Sequence, residues 1–92
     1  MSLDELERRT APRRREVKRG QISFHQLAHD LNFSRVSFDC MIRNLSDNGA
    51  GLVLENSGRI PEAFDLFIRE DGTSRKCRVV WRANHQLGVV FE

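Results

Sequence analysis

From Val36 to Phe91 the chain is a series of short stretches in which apolar and polar residues alternate, separated by residues that favour tight turns. Val36, Phe38, Cys40 and Ile42 alternate with Ser37, Asp39, Met41 and Arg43, and Ala50–Glu55 follows soon after. Phe64, Leu66 and Ile68 alternate with Asp65, Phe67 and Arg69; Cys77, Val79 and Trp81 share one parity, as do Leu87, Val89 and Phe91. A period of two belongs to a strand with one buried face. Asp47-Asn48-Gly49, Asn56-Ser57-Gly58, Asp71-Gly72 and Ala83-Asn84-His85 punctuate these runs as hairpin connections. With Glu16–Phe24 as a first strand, in which Gly20 marks a bulge, six strands at hairpin spacing predict an all-β protein, a small six-stranded antiparallel barrel. On this pattern Trp81 belongs to the barrel core.

One segment reads two ways. Phe38, Met41, Ile42 and Leu45 match i, i+3, i+4, i+7, and Gln26–Leu45 as a whole resembles a helix-turn-helix of a DNA-binding regulator. Periodicity leaves the choice open; Val36, Phe38 and Ile42 favour the strand, and the face that would read DNA offers Ser37 and Asp39 but few bases. Phe24–Phe33 is predicted as a long connection holding one helical turn.

A chain of 92 residues has room for one domain with a modest core, too small for a multistep enzyme. No apolar run approaches the roughly 18 residues of a membrane span and the N-terminus has no hydrophobic signal core, so a cytoplasmic protein is expected. Cys40 and Cys77 sit in apolar alternating runs and read as buried thiols. His25 and His29 stand four apart without a third ligand, and read as surface histidines rather than a metal site. Neither a nucleophile with a spaced His nor a phosphate-cradling glycine loop is present, so no catalytic residue is assigned.

The formal charge of +2 is low for a protein dedicated to coating nucleic acid, yet its distribution is lopsided. Arg8, Arg9, Arg13, Arg14, Arg15, Lys18 and Arg19 face the single acid Glu16 in the same stretch, which calls for an anionic partner. Residues 1–15 are expected to form a flexible basic segment and 16–92 the barrel. Within that segment lies Arg9-Thr-Ala-Pro-Arg13, and about thirty residues on comes Asn44-Leu-Ser46-Asp-Asn-Gly49. A guanidinium offers a planar fork that meets guanine O6 and N7 or two phosphate oxygens, and a flat face that stacks on a purine. Asn44 adds an amide, Ser46 a hydroxyl two residues along the same strand face, and Gly49 the positive φ of a primed turn. The leader alone reads as a solvated tail and the second motif alone as a hairpin turn; together they describe a guanine-nucleotide site.

The pairing resembles the RxxxR and (D/N)xSxxG motifs of the PilZ family, and the resemblance covers about Arg8 to Glu92. It implies a bacterial, non-enzymatic, six-stranded barrel that binds cyclic di-GMP on its outer face and signals to a downstream protein partner, with the ligand in place of any cofactor. Carried over residue by residue, Arg9 and Arg13 contact guanine and phosphate, and Asn44, Ser46 and Gly49 form the second motif. Arg15-Glu-Val-Lys-Arg19 also spells RxxxR, but Arg19 then falls within the first strand. Family members with degraded motifs act as ligand-blind protein-interaction modules, which makes retention of both motifs here the informative feature.

Overall fold

Alternation decides the architecture. The computed structural model describes residues 17–27 and 30–92, and in it the inward parity of the runs meets at one core, with a break in β5. The strands are β1 (Lys18–Leu27), β2 (Phe33–Arg43), β3 (Gly49–Val53), β4 (Ala63–Ile68), β5 (Thr73–Ala83) and β6 (Gln86–Phe91). They pair antiparallel in the order β1-β2-β3-β6-β5-β4, and β4 returns to β1 to close the barrel. Two three-stranded meanders are thus joined edge to edge, by β3–β6 on one side and β4–β1 on the other.

Ile22, Ile42, Leu52, Leu66, Ile68 and Leu87 are almost completely buried, with Cys40, Phe64, Cys77 and Val89 between them. Each such aliphatic side chain contributes about 1.5–3 kcal/mol relative to the exposed state, and that burial settles the ambiguous 38–45 segment. A strand buries Cys40 and Ile42 while turning Met41, 47% exposed, outward; a helix would have buried Met41. No α-helix occurs among the described residues, so the stretch that a helix-turn-helix would need is β2. Both cysteines are free and buried, as expected, and burial first of all pushes each thiol up to about 12.

The Phe24–Phe33 region departs from expectation. Instead of a long connection with a helical turn, β1 and β2 continue as a ladder from Phe24↔Val36 to Leu27↔Phe33. At the tip, the Asp30 carboxylate accepts from the Asn32 backbone N–H and side-chain amide, both at 3.1 Å, while Leu31 takes a left-handed φ of 66°. These bonds hold the Asp30 carboxyl below its ordinary range. Gly20 also differs: the β1–β2 register is continuous through Gly20↔Cys40, with no bulge. Glycine packs closely against the core there: a Cβ would stand 2.7 Å from Ile42 Cδ1 and 3.1 Å from Leu66 Cδ1, so these side chains would have to shift to admit one.

The β3–β4 connection crosses one end of the barrel and fastens to the β5–β6 hairpin. Ser57–Arg59 forms a 3-10 turn capped by Asn56, whose Oδ1 accepts from Gly58 N–H at 2.9 Å. Buried Ser57 donates its hydroxyl to Ala83 O, and Arg82 donates to the carbonyls of Ser57 and Ile60. Leu54 and Ile60 then seal that end with apolar side chains.

Candidate functional site

β2 ends at Arg43, and the motif residues Asn44 and Ser46 lie beyond it in the loop to β3 rather than on a shared strand face. The chain leaves the strand because Asn44 adopts a φ of 52°, a left-handed conformation that asparagine tolerates better than most residues. Its amide group lies over Gly51, where a Cβ would make ordinary van der Waals contact with Asn44 Nδ2 at 3.8 Å.

Ser46 organises the loop. Its Oγ accepts from Asn48 N–H at 3.2 Å and Gly49 N–H at 3.3 Å and lies 3.3 Å from Gly49 O as a donor, while Ser46 N–H donates to the same carbonyl at 2.9 Å. A short hydroxyl side chain folding back on the next three residues replaces the expected two-residue primed turn. Gly49 accordingly has no positive φ; it opens β3, and a Cβ at this position would collide with Val89 O on β6. The motif glycine is therefore a close-approach glycine.

The loop is anchored from the opposite meander. Phe91 N–H donates to Asn48 O at 2.8 Å, and Arg75 donates to Asp47 O at 3.2 Å while its guanidinium lies 4.2 Å from the Phe91 ring centre. Arg75 thereby places a cation beside the loop.

Beside Asn44, Ser46, Asn48 and Gly49 the surface dips into an open depression of about 380 Å³, whose other wall is Val80, Trp81, Gly88 and Val90. This volume lies within the roughly 300–1,000 Å³ of small-ligand clefts. Trp81 is on the outer wall, 49% exposed, and not in the core. The reason is a β-bulge: Val79 pairs with Val89 but Trp81 with Gly88, so Val80 is an extra residue that reverses the parity of all that follows. The two adjacent apolar residues Val79-Val80 are the sequence signal that marks this break. A larger groove of about 640 Å³, between β2 and the Leu54–Arg59 segment, contains none of the motif residues.

Arg9 and Arg13 lie outside the described residues, as does His29. Arg19, the last arginine of the rejected register, is a β1 residue opposite Met41. His25 is exposed, and no cluster of His, Cys, Asp and Glu that could hold a metal ion occurs among the described residues. No helix among them is long and apolar enough to cross a membrane.

The chain is thus a closed six-stranded barrel that presents a hydrogen-bonded polar loop and an exposed indole on its outer wall. The family model for the PilZ domain matches residues 7–92, and the chain belongs to that family, whose members are binding and adaptor domains known for recognising cyclic di-GMP. No curated protein and no solved structure matches it.

Proposed function

We propose that this domain is a cytoplasmic receptor for cyclic di-GMP, bound on the outer wall over the Asn44–Gly49 loop. The observation that carries the reading is the juxtaposition of that loop with the exposed indole of Trp81 across one depression. A guanine needs a flat apolar surface for its face and polar groups at its rim, and these two elements supply them. The Asn44 amide meets a guanine edge, Trp81 stacks on the base, and Ser46 acts by fixing the loop backbone.

Arg9 and Arg13 complete the site as planar forks on guanine and phosphate. Binding fixes the Arg8–Arg15 segment against the barrel, at a cost of about 1–2 kcal/mol per residue ordered, which the ligand contacts must offset. The reorganised surface then meets a downstream protein.

Titration calorimetry with cyclic di-GMP, with GMP as control, tests the reading. Saturable binding of the cyclic dinucleotide and not of GMP is expected, with slowed hydrogen exchange over residues 8–15. Absence of binding would identify the domain as a ligand-blind interaction module.

A further inference from the structure

Among the described residues, β2 is paired on both sides only at its C-terminal end. β1 covers one edge along its whole length, but β3 covers the other only from Met41 to Arg43. From Phe33 to Cys40 the second edge has no strand partner among the described residues, which leaves the backbone donors and acceptors along it without a ladder there. Such edges are ordinarily blunted by proline, lysine or a bulge. This one has no proline or lysine, and its ladder with β1 is regular.

The sequence along the edge is complementary to itself. Read outward from Ser37 in both directions, Val36 is matched by Phe38, Arg35 by Asp39, Ser34 by Cys40, and Phe33 by Met41. Two antiparallel copies related by a two-fold axis at Ser37 would set each Arg35 opposite the other copy's Asp39, and each Val36 opposite Phe38. The edge beside Met41 is already taken by Val53 of β3, so the ladder ends at the Ser34–Cys40 pairs and each Phe33, 68% exposed, must turn away from it. Moving the centre by one residue sets Arg35 against Ser37 or Met41 and leaves Asp39 without a cation, so charge selects a single register.

The surroundings favour the same occupant. The groove of about 640 Å³ runs beside Phe38 and Asp39, with Glu55 and Arg59 on its far wall, so an incoming Arg35 meets two carboxylates and one cation, the Arg59 guanidinium, which lies 5.2 Å from the Phe38 ring centre.

We infer that the free edge of β2 is the surface through which two copies of this chain pair, forming a continuous β1-β2-β2-β1 sheet centred on Ser37. The paired stretch is short, which fits a reversible dimer rather than an obligate one.

Charge reversal tests it. Sedimentation of the parent chain should show concentration-dependent dimerisation. Arg35→Asp and Asp39→Arg should each weaken it about tenfold or more, because each places two like-charge pairs across the interface, and the double swap should restore it to within about threefold. Ser37→Cys should give a disulfide-linked dimer on mild oxidation, while Ser74→Cys on the exposed side of β5 should not; this readout stands even if a charge variant folds poorly. A monomeric parent at every concentration, single reversals without effect, or cross-linking through Ser74→Cys alone would overturn the assignment, and binding only to an extended segment of a different protein would overturn the second copy as occupant.

Discussion

The indole of Trp81 rests on the backbone of Gly88, its five-membered ring filling the space in which any other residue at 88 would carry a Cβ. The pair is directly opposed across the β5–β6 ladder, so the glycine sets the depth at which the aromatic face sits beside the Asn44–Gly49 loop. Gly88→Ala should displace the ring, with an overpacking cost of about 1–3 kcal/mol. Trp81 is the only tryptophan, so its emission reports both events: a shift in the Gly88→Ala variant, and quenching of the parent by cyclic di-GMP. Base stacking on an aromatic is worth about 1–3 kcal/mol, so Trp81→Ala should weaken binding about tenfold and Trp81→Phe much less.

The two small residues of the motif loop should fail differently. Ser46→Ala removes the hydroxyl that receives two backbone N–H groups, with an expected stability loss of about 1 kcal/mol and weaker ligand binding. Gly49→Ala should be the more damaging, because even a methyl collides with Val89 O and must part β3 from β6. Thermal unfolding of both variants measures the order; a Gly49→Ala variant as stable as the parent would contradict the close approach.

For Arg9 and Arg13 the expected signature is geometric and not merely ionic. A stacked or bidentate guanidinium has no ammonium substitute, so Arg13→Lys should cost nearly as much affinity as Arg13→Ala, about tenfold or more. Arg14→Ala and Lys18→Ala should leave affinity close to the parent's and alter mainly its salt dependence. Titrating the four variants at two ionic strengths checks this; equal losses in all four would reduce the leader to a diffuse anion trap.

Glu70 sets an acid limit on the β4–β5 corner. Arg19 N–H donates to its carboxylate at 2.9 and 3.2 Å, and this bond, with the Arg19 and Lys18 charges, holds the carboxyl below its ordinary 4.5. A depressed acid contributes its stabilisation in full above the unfolded value and loses it as pH falls through the folded one. Glu70→Gln should therefore be less stable than the parent near neutrality, and the gap should narrow below about pH 4.5, as melting temperatures recorded down the pH scale will show.

Much of the barrel was legible because a two-residue period is a local property. Ile42 and Leu66 announce an inward face wherever the strand goes, and Asp71-Gly72 announces a reversal, with Gly72 at a φ of 67° as a hairpin glycine requires. The motif residues Asn44, Ser46 and Gly49 were equally legible as a polar turn. What each does in that turn was not: the same letters suit a primed hairpin or a serine-organised loop, and only the Ser46 hydroxyl's bonds to Asn48 and Gly49 N–H, with Gly49 outside the positive-φ region, decide between them.

By itself, then, the sequence determined the six strand runs, the turns after β2, β4 and β5 and the residues of the loop, because alternation and turn chemistry act between neighbours; the β3–β4 connection, read as a hairpin, instead crosses the barrel end between strands that do not pair. Tertiary structure alone decided three further matters. It extended β1 and β2 through residues read as a helical connection, since a partner strand satisfies backbone groups that no local pattern can. It placed Val80 as an extra residue opposite β6, which turned Trp81 from the core to the wall of the site. It also left Phe33–Cys40 without a second strand neighbour among the described residues, because whether a strand has one depends on where β3 turns away at Leu54, a long-range outcome of closing the barrel.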